Sequence, residues 1–118
     1  MSIETSNAAR QGYQWCRALA QSHYENFPVA SRLLPRQLRD PIAAIYAFAR
    51  TADDIADEGD IPRQLRLHRL RKMETALDAV EAGGADNTPL YQALADTIRR
   101  YRLPVDLLRD LHSAFSKD

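Results

Sequence analysis

The spacing of hydrophobic residues predicts a chain built from helices alone. Apolar positions recur every three or four residues in the segments 7–23 and 63–82, and again on both sides of Pro104. Thr88 and Pro89 are suited to the start of the helix that precedes Pro104. No segment alternates apolar and polar residues in the manner of a half-buried strand. The pattern therefore predicts an all-α fold.

The segment between residues 40 and 60 carries the signals of a single helix. Asp40 is suited to the N-cap, Pro41 to the first helical position and Gly59 to the left-handed position after the last turn. Between Pro41 and Gly59 the chain has no other Gly or Pro. We predict one helix from its cap at Asp40 to Gly59, with a block of acidic residues in its last turns.

One face of this predicted helix carries polar groups in line. Asp53 and Asp57 are four residues apart and share a face, which extends back through Arg50 and Tyr46. Five carboxylates lie within eight residues here: Asp53, Asp54, Asp57, Glu58 and Asp60. The helix dipole disfavours negative charge at this end, whereas a bound Mg²⁺ would favour it and would accept all-oxygen ligands. The face therefore fits either a Mg²⁺ site or a solvated helix end, and it lacks the pattern of an EF-hand loop.

The segments before and after this helix hold further candidates. His23 ends the first predicted helix, and Pro28 disfavours helix at Phe27. Residues 31–39 fit a short helical turn and a loop with three arginines, which suit either a solvated basic surface or contact with phosphate oxygens. Asp60 is a candidate N-cap for the helix that follows.

Composition and charge narrow the functional classes. The 118 residues form one domain at most, and their formal net charge is zero, so no global field attracts nucleic acid or anionic lipid. The basic run between 63 and 72 lacks interleaved aromatic residues and fits a solvated face rather than a nucleic-acid site. The single Cys16 allows no internal disulfide and suits a reducing compartment. With no secretory leader and no apolar run of membrane-spanning length, the sequence predicts a cytoplasmic protein without a nucleic-acid partner.

Four motifs carry a resemblance to a known family. They are His-Tyr-Glu-Asn-Phe-Pro-Val-Ala-Ser at 23–31, Leu-Leu-Pro at 33–35, Ala-Ile-Tyr-Ala-Phe-Ala-Arg at 44–50 and Ala-Asp-Asp-Ile-Ala-Asp-Glu-Gly at 52–59. In this order and spacing the chain resembles the squalene/phytoene synthase family. The first motif is most similar to the hydroxysqualene synthase branch of bacterial hopanoid biosynthesis. Tyr24 stands where the phytoene and dehydrosqualene branches usually carry Ser.

The resemblance implies an isoprenoid-synthase-type helical fold around a deep apolar cavity, where Asp-rich segments on opposite walls hold Mg²⁺ and the substrate diphosphate. It implies that Asp53 and Asp57 are the metal ligands and, with Arg50, catalytic residues, while Asp54 and Glu58 support them. It also assigns four side chains to the substrate: His23, Phe27, Tyr46 and Arg50. The implied reaction is the Mg²⁺-assisted ionisation of farnesyl or presqualene diphosphate.

The length of the chain shapes the remaining expectations. Because the family runs to more than twice this length, the resemblance implies that residues 1–118 are the N-terminal portion of one synthase-like domain. Such a fragment is expected to be inactive alone, to expose apolar surface and to self-associate. Its lipidic substrates are compatible with peripheral contact with the cytoplasmic membrane. A phytoene-type synthase and a non-catalytic helical assembly module are the alternatives, and the intact Asp53–Asp57 pair favours catalysis.

Overall fold

The structure, a computed structural model, describes residues 6–57, 59–84 and 87–116, except the side chains of 115 and 116. Helices supply the regular structure of these residues, and no strand occurs among them. The helices are α1 (Asn7–His23), α2 (Phe27–Arg32), α3 (Arg36–Ala56), α4 (Arg63–Glu81), α5 (Pro89–Tyr101) and α6 (Val105–Ser116). The all-α prediction is confirmed. Within the described ranges, no helix combines the length and apolarity that crossing a membrane requires.

Helix α3 lies at the centre of the core, where it contacts α1, α4, α5 and α6. The core-facing side chains of α3 are mostly small. Five of them are fully buried: Ala43, Ala44, Ala47, Phe48 and Ala52. Because protein interiors are close-packed, a row of alanines brings the neighbouring helices near to the backbone of α3.

Helices α1 and α5 approach each other closely at Gly12. A Cβ atom added to Gly12 would lie 2.3 Å from the carbonyl oxygen of Pro89 and 2.9 Å from the backbone nitrogen of Ala93. Both distances are shorter than a van der Waals contact, so a larger residue requires the helices to move apart. The hydrophobic pattern alone did not identify this position.

A buried polar network joins the same two helices. The Tyr13 hydroxyl donates to Asp96 Oδ2 at 2.6 Å and lies 2.9 Å from the Thr97 hydroxyl. Asp96 is only 1% exposed, and it also accepts hydrogen bonds from Arg99 and Arg100. Burial and the hydrogen bond to Asp96 raise the pKa of the Tyr13 phenol above its ordinary value. The phenol is therefore held in its protonated, hydrogen-bond-donating form.

The predicted start of the central helix is wrong. Helix α3 begins at Arg36, so Pro41 lies inside it and Asp40 is not a cap; Asp40 instead forms an ion pair with Arg17. A proline inside a helix removes the hydrogen bond to the carbonyl four residues earlier, which here belongs to Gln37. The Tyr101 hydroxyl donates to that carbonyl at 2.6 Å. A side chain from α5 thus supplies the bond that Pro41 cannot make.

Three further predicted boundaries are corrected. Helix α3 ends at Ala56, three residues before Gly59. Helix α2 begins at Phe27, and residues 27–32 are helical, because Pro28 occupies the first turn, where no backbone N–H is needed. Pro62, not Asp60, holds the N-cap position of α4. The predicted bounds of α1 are confirmed, as is the start of α5 after Thr88.

Cys16 is fully buried in α1, and burial raises the pKa of its thiol to about 12. Because the thiolate is the reactive form, we expect native Cys16 to react with a disulfide reagent at pH 8 at least a thousandfold more slowly, by order of magnitude, than in the unfolded chain. The absorbance of the chromophore that the reagent releases, followed with and without denaturant, measures both rates. Similar rates in the two states would contradict the buried position.

Candidate functional site

The sequence-predicted polar stripe lies on α3, on the side turned away from its alanine-rich core face. Tyr46, Arg50 and Asp53 follow one another at intervals of four and three residues and are half-buried. Asp57 follows one turn later as the C-cap residue, and its backbone N–H donates to the Asp53 carbonyl at 3.0 Å. Asp57 therefore sits at the end of the helix rather than within it, and its side chain is exposed. The stripe is present, and in the described residues it lies at the surface.

Arg50 is the electrostatic centre of this surface. Its Nη2 lies 2.8 Å from Asp54 Oδ1, and its Nη1 lies 3.6 Å from Asp53 Oδ2. The end of α1 contributes His23, whose Nε2 lies 3.9 Å from Asp54 Oδ2. The structure thus brings together His23, Arg50 and both neighbouring aspartates. The spacing argument emphasised Asp53 and Asp57 and gave the ion pair with Asp54 no weight.

One nitrogen of Arg50 lacks a hydrogen-bond acceptor among the described residues. This nitrogen, Nε, is buried. A buried donor without an acceptor costs about 1–3 kcal/mol. An anion oxygen bound beside Arg50 would remove this cost, and guanidinium groups are suited to phosphate oxygens.

An aromatic pair lies beside the charged groups. The rings of Phe27, at the start of α2, and Tyr46, on α3, are stacked with centroids 6.3 Å apart and planes 16° apart. Both side chains are half-buried. The structure therefore places two of the predicted substrate residues in direct contact, one turn before Arg50 along α3.

The carboxylates at the end of α3 are oxygen donors of the type that Mg²⁺ accepts. The described residues contain no cluster of three or more metal-ligating side chains. Mg²⁺ needs only one or two protein carboxylates, because waters and substrate phosphates complete its coordination. Asp53, with its longer contact to Arg50, and the exposed Asp57 meet this requirement. Glu58, a further predicted participant, lies outside the described residues.

The arginines of residues 31–39 divide into two kinds. Arg39 donates to the backbone carbonyls of Leu34 and Arg32, so it holds the turn between α2 and α3. The sequence left open whether these arginines contact a ligand. In the structure, Arg32 and Arg36 are exposed, whereas Arg39 is bonded to the backbone of the turn.

The fold is of the all-α isoprenoid synthase type, as its similarity to a solved structure shows. The chain is similar to the crystal structure of squalene synthase HpnC from Alicyclobacillus acidocaldarius, with a TM-score of 0.75 and 36% sequence identity. The match covers 92% of this chain and 42% of that one. The predicted fold is confirmed.

The family model described as squalene/phytoene synthase matches residues 20–118, and the chain belongs to that family. It is 36% identical over 103 residues to a phytoene synthase of Rhodobacter capsulatus, covering 87% of this chain and 30% of the relative. It is also 36% identical over 96 residues to a hydroxysqualene synthase of Zymomonas mobilis, covering 80% and 31%. The chain spans about a third of the length of these curated relatives.

Proposed function

We propose that this chain forms one wall of a prenyl-diphosphate synthase that makes squalene or its hydroxylated form, as hopanoid precursors, from farnesyl or presqualene diphosphate. The observation that carries the proposal is the guanidinium of Arg50, whose buried Nε has no acceptor among the described residues. Along α3, Arg50 stands between Tyr46 of the aromatic pair and the acidic end of the helix. Membership of the squalene/phytoene synthase family supports the reaction class. On this proposal, the isolated chain has no turnover of its own.

The charged groups of the site would bind and orient the diphosphate. Asp53 and Asp57 would hold Mg²⁺, which when bound stabilises negative charge on the departing diphosphate. The half-buried Arg50 would offer its guanidinium to a diphosphate oxygen, while Asp54 keeps the guanidinium in place through the 2.8 Å contact. His23 lies beside Asp54, and its ring supplies a further donor toward the same anion.

The aromatic pair would act on the hydrocarbon part of the substrate. Ionisation of an allylic diphosphate leaves a carbocation, which water would capture. The stacked faces of Phe27 and Tyr46 carry negative electrostatic potential and exclude water from the atoms next to the diphosphate. The pair would therefore stabilise the carbocation and shield it from water.

A phytoene-type synthase is the second candidate, because several relatives carry that name. Tyr24 and the other residues of the motif at 23–31 favour the squalene-forming reaction. Both candidates use the same diphosphate-binding residues and differ in the prenyl chain. Comparison of farnesyl and geranylgeranyl diphosphate as ligands separates them.

Thermal unfolding tests the diphosphate site. We expect Mg²⁺ and farnesyl diphosphate together to raise the Tm of the purified chain by about 5 °C or more, since a ligand at 100 times its Kd adds about 2.7 kcal/mol. Neither component alone should do so. Asp53→Asn should abolish the rise, because the substitution removes a carboxylate from the Mg²⁺ donors.

The matched control is Asp110→Asn, which neutralises an exposed aspartate on α6 and should keep the full rise. Inorganic pyrophosphate with Mg²⁺ should give a smaller rise than farnesyl diphosphate if the aromatic pair contacts the prenyl chain. An equal rise in Asp53→Asn and in the unmodified chain would contradict the proposal, as would no rise at all.

A further inference from the structure

A groove of about 410 Å³ lies where α1, α3, α4 and α5 meet. Its apolar lining comes from all four helices and includes Trp15, Ile55, Met73 and Leu90. Grooves that bind small molecules have volumes of about 300–1,000 Å³ and mostly apolar walls with a few polar groups. The size and the lining of this groove therefore suit a small molecule with a large apolar part.

This groove is separate from the proposed diphosphate site. Helix α3 contributes Thr51 and Ile55 to the groove, and no residue of the polar stripe lines it. Thr51 follows Arg50 by one residue, so the two side chains leave the helix in directions about 100° apart. The Thr51 hydroxyl donates to the Ala47 carbonyl at 2.7 Å, which holds it against its own helix. A molecule in the groove would therefore be a second ligand and not the diphosphate.

Helix α4 gives one side of the groove a positive charge. Arg69, Lys72, Met73 and Ala76 all line the groove, and their spacing of three and four residues places them on one face of α4. Lys72 is exposed and Arg69 is half-buried. The described residues that line the groove include no aspartate and no glutamate. Two cations beside an apolar wall favour a ligand that carries negative charge next to its apolar part.

We propose that the groove binds a small amphipathic anion, an aliphatic chain with one carboxylate or phosphate monoester at its end. The chain lies against Trp15, Met73 and Leu90, and the head lies beside Arg69 and Lys72. Carboxylates and phosphates share this chemistry, because both accept charge-assisted hydrogen bonds from guanidinium and ammonium groups. Farnesyl diphosphate without Mg²⁺ carries more negative charge than the two cations neutralise, so it fits this groove poorly.

Charge favours this occupant over a second copy of the chain. A symmetric contact through the groove would bring Arg69 and Lys72 of one copy close to the same residues of the other, and like charges repel. A small anion neutralises these side chains while its chain covers the apolar wall. The volume of the groove is also that of a small-molecule site.

Trp15 provides a direct test, because it lines the groove, is 40% exposed and is the single tryptophan of the chain. An aliphatic ligand replaces water around the indole, so we expect dodecanoate, below its micelle-forming concentration, to shift the emission to shorter wavelengths. Dodecanoate should bind at least tenfold more tightly than dodecyltrimethylammonium, which has the same chain and the opposite charge. Hexanoate should bind weaker than dodecanoate by about a hundredfold or more, because fewer CH₂ groups leave water.

Titration calorimetry without Mg²⁺ measures the same affinities independently of Trp15. Dodecyl phosphate and dodecanoate differ only at the head, so the tighter of the two identifies the headgroup that the groove selects. Lys72→Glu should weaken the binding of dodecanoate about tenfold, because it places a like charge beside the head. The side chain of Lys72 is exposed, so the fold should survive this change.

The matched control is Arg71→Glu, the same change of charge at the next residue of α4, which is exposed and does not line the groove. It should leave dodecanoate binding within twofold of the unmodified chain, and so should Asp53→Asn. Lys72→Glu should keep the Tm rise caused by Mg²⁺ and farnesyl diphosphate, so each site can fail without the other. Equal losses in Lys72→Glu and Arg71→Glu would overturn the proposal. So would the absence of both heat and emission change, equal binding of the two dodecyl compounds of opposite charge, or a dimer that Lys72→Glu converts to a monomer.

Discussion

Gly12→Ala is expected to lower the free energy of unfolding by about 1–3 kcal/mol, the range found when a close-packed contact is overfilled. The added methyl group would lie 2.3 Å from the Pro89 carbonyl oxygen, which belongs to the backbone and cannot rotate away. Helices α1 and α5 must separate to admit it, and contacts along their whole crossing weaken. Urea unfolding followed by circular dichroism measures the loss.

The control is Gly84→Ala, at an exposed glycine whose added Cβ would meet only the Ala79 carbonyl oxygen at 3.8 Å. That distance is an ordinary contact, so we expect a change of less than about 0.5 kcal/mol. Equal stability of Gly12→Ala and the unmodified chain would mean that α1 and α5 are not in close contact at this position.

Asp96→Ala is expected to cost about 3 kcal/mol, because it removes the shared acceptor of a buried network. Tyr13 would lose its 2.6 Å bond while remaining buried, and Arg100 would lose its carboxylate partner. Asp96→Asn, which keeps an acceptor oxygen, should lose about half as much. Urea unfolding of the three proteins tests the order, and an Asp96→Ala protein as stable as the unmodified chain would contradict the network.

The pH dependence of stability provides a second test of the same network. The pKa of the Tyr13 phenol is higher in the folded chain than its ordinary value near 10. Its contribution is therefore complete below pH 10 and is lost as the pH rises further, because only the unfolded chain then releases the proton. Between pH 10 and 11, stability should fall more steeply in the unmodified chain than in Tyr13→Phe, by about 1 kcal/mol per pH unit at most. Equal slopes would contradict the raised pKa.

The periodicity of apolar residues predicts most of the fold, since it determines which helix faces are buried. It gave α1 correctly, because the pattern, the polar residues before it and the turn after it agree. It failed at the start of α3, where Pro41 was taken for a first helical residue. The helix continues through this proline because the hydroxyl of Tyr101, sixty residues later, donates a hydrogen bond to the Gln37 carbonyl, which Pro41 leaves without its helical partner. No local sequence rule contains that contact.

The candidate site was predictable to a similar extent. Helical spacing placed Tyr46, Arg50 and Asp53 on one stripe, and the structure has them so. Spacing could not choose between Asp53 and Asp54 as the closer partner of Arg50, because both lie within reach on the next turn and the side-chain rotamer decides. Whether the stripe binds magnesium stays a prediction for the unfolding experiment.

The buried alanines of α3 have a consequence for how such a protein tolerates change. Each residue of a helix advances the side-chain direction by about 100°, so a small rotation of α3 would swing its carboxylates away from the ends of α1 and α2. The tightly fitted alanine face prevents that rotation. The direction in which the acidic side chains point is therefore determined by the packing on the opposite side of the same helix. We therefore expect a larger residue at one of those alanines to turn the acidic side chains as well as to disturb the core.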